Sequence, residues 1–180
     1  MLERAHISSA LLGTARHLHV GAYFLQTRLH PDAPKLFAEA KALGLTTSVD
    51  CNYDPRERWD SNLREVLVHT DVFLPNEDEA RCITGSSDFA VAARQLACLA
   101  QAVVVKRGPQ GVFTATRGRE FELPALPAKV VDTTGAGDSF NAGFLAEFVK
   151  GRGLEAGVQN GILAASRSVQ KIGGTAAFES

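Results

Sequence analysis

The 180-residue sequence lacks several features that would assign it to a broad class. Its formal net charge is −1, so it offers no basic surface field for a nucleic-acid partner. No apolar run reaches the length of a membrane span, and the first residues lack the apolar core of a signal peptide. The phosphate-binding pattern GxxxxGK[ST] is absent, which excludes a P-loop site. These absences predict a cytoplasmic protein with neither a nucleic-acid nor a membrane partner.

Cysteine is also scarce. Cys51, Cys82 and Cys98 are odd in number, lack CxxC spacing, and lie in or beside apolar segments. We therefore expect reduced core thiols rather than metal ligands or a disulfide framework. Cys51 is the exception to examine again, because it lies between Asp50 and Asn52. The five histidines lack the spacing with acidic partners that a metal site needs.

The composition, with 45% hydrophobic and 22% charged residues, is that of one globular domain with a substantial core. Short β-rich runs alternate with helical patterns along it. The expected strands are 17–24, 46–50, 71–74, 102–106 and 111–115. Apolar side chains recur at helical spacing at Leu36, Phe37, Ala40 and Leu43, at Leu63, Val66 and Leu67, and at Phe89, Ala92, Ala93, Leu96 and Ala97. Two further helices are expected in succession, at about 137–150 and 154–170.

The expected strands have little polar alternation, which is typical of strands buried on both faces. Alternation of strands and helices predicts an α/β fold, a parallel sheet flanked by helices. His17 and His19 alternate in the first strand and are interpreted as packing or edge residues. In open sheets of this class, ligands bind beyond the carboxyl ends of the strands. Four groups of candidates are expected at that edge: Asp50 and Asn52; Asn76 and Glu79; Lys106, Arg107 and Gly108; and the loop 132–138 that leads into the next helix.

Residues 132–145, DTTGAGDSFNAGFL, carry the most chemical information. Gly135, Ala136 and Gly137 leave backbone N–H groups unblocked at a helix start, where the helix dipole adds partial positive charge. Asp138 lies at the rim of this anion site, where a carboxylate can take a proton from a hydroxyl. The pattern predicts phosphoryl transfer to an alcohol. The alternative is an ordinary helix start, in which these residues only cap and turn the chain.

This stretch resembles the second signature of the ribokinase-like (PfkB) carbohydrate kinases, D-T-x-G-A-G-D, and every position agrees. The resemblance implies a ribokinase-like, Rossmann-like fold and transfer of the ATP γ-phosphoryl group to a sugar hydroxyl, with Mg²⁺. It implies that Asp138 is the catalytic base and that Gly135, Ala136 and Gly137 form the anion hole. It also places Thr133 with the nucleotide.

Two further stretches look like motifs of the same family. Asn76 and Glu79 match its N-x-x-E motif, which implies that Asn76 lies near the nucleotide phosphates and that Glu79 organises Mg²⁺; the alternative is a plain capping box. Lys106, Gly108 and Gly111 match the glycine-containing loop that lies along the nucleotide phosphates. The alternative for this second stretch is a turn with a solvated basic pair.

Further assignments follow from the resemblance. Asp50 and Asn52 belong to a stretch, 50–59, that lies near the acceptor in sugar kinases; a surface loop pinned by Trp59 is equally compatible. Asn160 lies where relatives contact adenine, although a helical Asn is more often a surface residue. The resemblance also implies a site for a monovalent cation such as K⁺, formed by the backbone of 132–134 and the turn 173–174. Asp132 is assigned to this site.

The resemblance covers the chain from about His17 onward and corresponds to the C-terminal, nucleotide-binding part of the family. We expect one α/β domain over 1–180 that lacks the N-terminal strands, the β lid and the sugar-binding signature. Three functions stay open: a sugar kinase, a non-catalytic nucleotide-binding fragment that needs the missing half, and a kinase for a nucleoside or vitamin alcohol. The expected partners are ATP and a small sugar, and a homodimer is left open.

Overall fold

The computed structural model describes residues 2–178 and forms two compact units. The first unit runs from the N-terminus to Val105 and includes Thr114–Phe121. The second unit comprises Lys106–Phe113 and the chain from Glu122 onward. The expectation of a single domain over 1–180 stays a prediction.

The helices and strands follow the alternation expected from the sequence. The helices are α1 (Ser9–Leu12), α2 (Ala33–Ala42), α3 (Leu63–Leu67), α4 (Glu77–Thr84), α5 (Phe89–Ala97), α6 (Ala136–Phe148) and α7 (Gly153–Ser168). The strands are β1 (His17–Val20), β2 (Thr46–Val49), β3 (Val72–Phe73), β4 (Ala102–Lys106), β5 (Val112–Thr116) and β6 (Glu120–Leu123). Short 3-10 turns cover Arg4–His6, Tyr23–Leu25 and Gly108–Gln110.

The strands form one six-stranded sheet in the order β1-β2-β3-β4-β5-β6. The pairs β1–β2, β2–β3 and β3–β4 are parallel. The α/β fold with a mostly parallel sheet is therefore confirmed. Strand β1 is at the edge of the sheet, where His17 and His19 are half-buried, as predicted for edge residues.

The first strand is shorter than predicted, since β1 ends at Val20 rather than at residue 24. Ala22 has a φ of 50°, in the left-handed region, and the turn Tyr23–Leu25 follows. This turn forms because the N–H groups of its first two residues donate to the carbonyls of Asp50 and Cys51, at 2.9 and 3.1 Å. An apolar run alone could not reveal these long-range hydrogen bonds.

Strand β6 was not predicted at all. Its residues Glu120–Leu123 alternate between exposed and half-buried positions, so they contain no apolar run. Arg94 on α5 pairs with Glu120 through two short hydrogen bonds, at 2.7 and 2.9 Å. A half-exposed strand at the end of a sheet gives a weak sequence signal.

The prediction of three core thiols is wrong for two of them. Cys51 is fully buried, whereas Cys82 and Cys98 are exposed. Cys82 lies on α4 and Cys98 caps the C-terminus of α5, and each helix turns its apolar stripe away from its cysteine. All three are free thiols in the structure.

The second unit is built on the pair α6 and α7, which pack closely against each other. Phe140 and Phe144 of α6 are buried against a stripe of small residues on α7. A Cβ at Gly157 would lie 2.9 Å from the Phe144 ring, and one at Gly161 would lie 2.7 Å from the Phe140 ring. Glycine at these positions therefore allows the two helices to approach.

His17 gives the fold a dependence on pH. Burial of its ring, followed by the charge of His19, lowers the pKa of His17 from 6.5 to about 4, although Asp71 opposes the shift. As the pH falls from about 6.5 to about 4, His17 is therefore protonated in the unfolded chain but stays neutral in the folded chain. We expect acidification through this range to destabilise the protein by about 1 kcal/mol. This value is smaller than the full pKa shift implies, because His17 is half-exposed and solvent screens its charge.

The measurement is the urea midpoint at about pH 7.5 and about pH 4.5. His17→Gln should lose less stability on acidification than the unmodified chain, since Gln stays neutral. His6→Gln, at an exposed histidine, is the control and should behave as the unmodified chain. An equal loss in all three proteins would rule out His17 as the source.

Candidate functional site

In the first unit, three side chains converge at the carboxyl ends of β2 and β3. Asp50 and Cys51 follow β2, and Glu79 lies in the first turn of α4, which follows β3. One ligand atom from each lies within 4.8 Å of the others, and all three residues are buried. The Cys51 thiol donates to Glu79 Oε2 across 3.4 Å. The expectation that Asp50 and Glu79 meet at one edge of the sheet is thus confirmed.

Asn76 and Glu79 form a reciprocal capping box at the start of α4. Asn76 Oδ1 accepts a hydrogen bond from Glu79 N–H, and Glu79 Oε2 accepts one from Asn76 N–H, both at 2.8 Å. The capping interpretation is therefore correct as a description of local structure. It leaves room for a second role, because a carboxylate has two oxygens and several acceptor directions.

The loop after Asp50 is organised around Asp54. Burial alone would raise the pKa of Asp54, but N–H groups of Arg56, Trp59 and Arg58, at 2.8–3.0 Å, outweigh it and lower the pKa. The Trp59 ring packs edge-on against Phe24, with centroids 5.5 Å apart. The Trp59 contact agrees with the surface-loop interpretation, and the assignment of Asp50 and Asn52 to the acceptor stays a prediction.

Asn52, the other acceptor candidate in this loop, is exposed. Its φ is 56°, and its side-chain oxygen accepts a hydrogen bond from the Tyr53 N–H at 2.7 Å. Four other non-glycine residues of the segment 52–62 also have positive φ: Glu57, Trp59, Ser61 and Asn62. Each such conformation costs of order 1 kcal/mol. Asn52 itself is a residue type that tolerates this conformation, so the backbone strain of the loop lies at its other positive-φ residues.

In the second unit, the predicted anion site lies at the start of α6. Gly135 precedes the helix with a φ of 74°, which favours glycine. A Cβ at Gly135 would lie 2.7 Å from the Cα of Gly174. The close approach of the turn at 173–174 therefore requires a glycine at 135, apart from any ligand.

Lys106, the last residue of β4, extends to the same helix start. Its Nζ lies 3.8 Å from the position that a Cβ of Gly137 would take, and no other atom outside the helix lies within 4 Å of that position. The ammonium also donates to Asn141 Oδ1 at 3.4 Å. A positive charge therefore lies beside open backbone at a helix N-terminus, and the contact of Lys106 with nucleotide phosphates stays a prediction.

Asp138 lies in the first turn of α6 and is exposed. Asn141, one turn further along the same helix face, is buried. Sequence reasoning missed Asn141, although a polar side chain within the apolar sequence FNAGF was a usable signal. Its Oδ1 is the acceptor of the hydrogen bond from the Lys106 ammonium.

Asp132 joins two segments of this unit. Its carboxylate accepts hydrogen bonds from the N–H groups of Gly173 and Thr134, both at 2.9 Å. These two bonds, that of Gly173 first, lower the pKa of Asp132. Both carboxylate oxygens are thereby engaged in loop structure, and a monovalent cation at Asp132 stays a prediction. Thr133 is exposed beside it.

The glycine-containing loop after β4 has two different glycines. Gly111 has a φ of 92°, and a Cβ there would lie 2.1 Å from the carbonyl oxygen of Leu123. Gly108 has a φ of 53°, but a Cβ there would meet nothing within 4 Å. The fold alone explains glycine at 111, whereas the open space at Gly108 leaves room for a ligand.

Asn160 makes a contact between helices. Its Nδ2 donates to the carbonyl oxygen of Gly143 on α6 at 2.7 Å. This hydrogen bond accounts for a polar residue on the packed face of α7. The adenine contact expected for Asn160 stays a prediction.

Among residues 2–178, no helix is both long enough and apolar enough to cross a membrane.

Comparison with known proteins gives concordant matches. The profile of the pfkB family carbohydrate kinases matches residues 2–180. The chain is 40% identical over 137 residues to the cytidine kinase of Thermococcus kodakarensis, which covers 72% of this chain and 49% of that protein. It is 34% identical over 145 residues to the 2-dehydro-3-deoxygluconokinase of Escherichia coli K12, covering 75% of this chain and 47% of that protein.

The fold is similar to that of solved ribokinase-like proteins. The crystal structure of a putative ribokinase II of E. coli in complex with ATP and Mg²⁺ superposes with a TM-score of 0.85 and 25% identity. That match covers 99% of this chain and 60% of the other. The ribokinase-like fold is thus confirmed, and the chain spans about half the length of the curated relatives it matches.

Proposed function

Because this chain belongs to the pfkB family of carbohydrate kinases, we propose that it transfers the γ-phosphoryl group of ATP to a hydroxyl of a sugar. The observation that carries the proposal is the start of α6, where the Lys106 ammonium lies beside Gly137 and where Asp138 lies in the first turn of the helix. Phosphoryl transfer needs mainly positioning and charge neutralisation, which such a site supplies.

In the proposed reaction, the acceptor oxygen forms a bond to the γ-phosphorus while the bond to the β–γ bridging oxygen breaks, which releases ADP. Asp138 takes the proton of the acceptor hydroxyl. General-base catalysis of this kind contributes roughly 10²–10⁴-fold in rate. Asp138 is exposed, so its carboxylate is available to a small substrate.

The charge on the transferring group is stabilised by two features of the second unit. Backbone N–H groups of Gly135 and Gly137 lie at the positive end of the helix dipole of α6, whereas the Ala136 N–H predicted with them donates to the Thr133 carbonyl oxygen at 3.1 Å. The Lys106 ammonium, oriented by Asn141, adds a full positive charge at the same helix start. Donors fixed in this way act without reorganisation during the reaction.

The first unit has a donor set of the kind that Mg²⁺ binds. Glu79 and Asp50 present carboxylate oxygens within 4.8 Å of each other, and Asn76 fixes Glu79 through the capping box. Mg²⁺ prefers oxygen ligands and keeps several waters, so these residues fit it. When bound with ATP, Mg²⁺ neutralises phosphate charge. We assign Glu79 and Asn76 to this role.

The nucleotide part of the proposal is tested by calorimetric titration of the full chain with Mg²⁺ and a non-hydrolysable ATP analogue. Lys106→Gln should weaken binding about tenfold, which is about 1.4 kcal/mol for one charge-assisted contact. Lys129→Gln, at an exposed lysine of the same unit, is the matched control and should bind as the unmodified chain. Equal affinities in all three proteins would remove Lys106 from the nucleotide site.

The acceptor is tested by ADP release with added ribose, 2-dehydro-3-deoxygluconate or cytidine. A sugar is expected because the family profile is that of carbohydrate kinases. Cytidine is included because the cytidine kinase relative is 40% identical. If cytidine were the one compound of the three that gave ADP release, the proposed acceptor would be a nucleoside instead of a sugar. Nucleotide binding without acceptor-dependent release would reject phosphoryl transfer by this chain.

A further inference from the structure

Cys51 lies among the donors assigned to Mg²⁺, although sulfur is not a ligand that Mg²⁺ prefers. It follows Asp50 directly in the chain and reaches Glu79, which belongs to a different element. Of the residues that the structure describes, this is the one group of three or more Cys, His, Asp or Glu side chains placed to hold a metal ion. The proposed kinase chemistry makes no use of the thiol.

The three donor atoms lie within 4.8 Å of one another, and the separation of the Cys51 and Glu79 donors matches the coordination sphere of a zinc-like ion. With metal–sulfur and metal–oxygen distances of about 2.3 and 2.0 Å, neighbouring tetrahedral ligands are about 3.5 Å apart. The observed separation between Cys51 Sγ and Glu79 Oε2 is 3.4 Å. A thiol–carboxylate hydrogen bond has a similar length, so the separation alone leaves both interpretations open.

Burial and charge favour the metal interpretation. Asp50, Cys51 and Glu79 are 6%, 0% and 7% exposed. The two carboxylates supply negative charge next to the thiol, and a divalent cation bound among them would neutralise that charge. The surrounding structure already holds the donors in place, since Asn76 N–H fixes Glu79 Oε2. An ion would therefore bind without a large rearrangement of these side chains.

We infer that Asp50, Cys51 and Glu79 form a binding site for a thiophilic divalent cation of the Zn²⁺ class. On binding, the Cys51 thiol loses its proton to solvent and the thiolate forms a bond to the metal, while both carboxylates bind as anions. Three protein ligands leave a fourth tetrahedral position for water. Binding does not depend on kinase activity. Its effect does rest on the proposed function: an ion held by Glu79 removes that carboxylate from Mg²⁺ and inhibits use of Mg·ATP.

The test uses Co²⁺ as a spectroscopic substitute for Zn²⁺, in the full chain and without nucleotide. In the Cys82→Ser/Cys98→Ser background, Cys51 is the remaining thiol, and the two replaced cysteines are exposed. We expect a thiolate-to-Co²⁺ charge-transfer band that saturates at one equivalent and is bleached by Zn²⁺ but not by excess Mg²⁺. Adding Cys51→Ser to this background should abolish the band.

The carboxylates are tested by Asp50→Asn and Glu79→Gln in the same background. Glu79→Gln keeps an acceptor oxygen for the Asn76 N–H, so the cap of α4 can persist. Each variant should weaken Co²⁺ binding at least about tenfold. No band in the background protein, or unchanged affinity in both carboxylate variants, would overturn the site. Neither result depends on turnover, so failure of the metal site and failure of the kinase proposal are distinguishable.

Discussion

Asp138→Asn is expected to lower kcat by about 10²–10⁴-fold. The affinity for the ATP analogue should change by less than about threefold. The reason is that Asn keeps the size of the side chain but cannot take a proton from the acceptor hydroxyl. The measurements are acceptor-dependent ADP release, with the acceptor that the panel selects, and calorimetry. Retention of near-normal kcat would contradict the assignment of Asp138 as the base.

Glu155→Gln is the matched control for this variant. Glu155 is an exposed acid in the first turn of α7, so it has the same relation to its helix dipole as Asp138 has to that of α6. Removing either charge should cost about 0.3–1 kcal/mol of stability. Only Asp138→Asn should lose turnover. Similar losses of kcat in both variants would indicate a structural effect instead of proton transfer.

Gly111→Ala is expected to destabilise the protein by about 3–5 kcal/mol and to lower the thermal midpoint by about 10 °C or more. Two effects combine at this position. The backbone φ of 92° lies where side chains are disfavoured, and the added methyl group would lie 2.1 Å from the Leu123 carbonyl oxygen. That oxygen belongs to the backbone, so it cannot move away cheaply.

Two other glycines separate these effects. Gly108→Ala meets a positive φ of 53° but open space, so it should cost about 1 kcal/mol. Gly118→Ala meets neither constraint and should change stability by less than about 0.5 kcal/mol. In thermal denaturation, the loss of stability should therefore be largest for Gly111→Ala, smaller for Gly108→Ala and smallest for Gly118→Ala. Equal losses at Gly111 and Gly108 would show that the close approach to Leu123 is unimportant.

Hydrophobic patterning was sufficient to predict the α/β class, the parallel sheet, the alternation of strands and helices, and the two successive helices α6 and α7. Strand β4 was predicted with its observed bounds, 102–106, because four of its five residues are fully apolar and buried. Patterning failed where long-range contacts decide the backbone. The turn at Tyr23–Leu25 depends on the carbonyls of Asp50 and Cys51, and β6 has no apolar run.

The candidate site was predicted in part for the same reason. Strand ends placed Asp50 near Glu79, and Lys106 near the 132–138 loop, which the structure confirms within each unit. The pattern could not show that Gly135 and Gly111 are required by neighbouring backbone, since the turn at 173–174 and Leu123 are distant in sequence. The pattern also could not show the hydrogen bond between Asn141 and Lys106, because that contact depends on side-chain positions.

The close approach of Gly135 and Gly174 has a consequence for how this sequence can change over evolutionary time. The two backbones lie within van der Waals distance, and Asp132 ties the same segments together through Gly173 N–H. A side chain gained at position 135 would collide with Gly174 unless the distant turn were also rebuilt. Changes in these two segments, 39 residues apart, are therefore coupled, and we expect recombination that exchanges either one alone to give nonfunctional sequences more often than crossovers outside them.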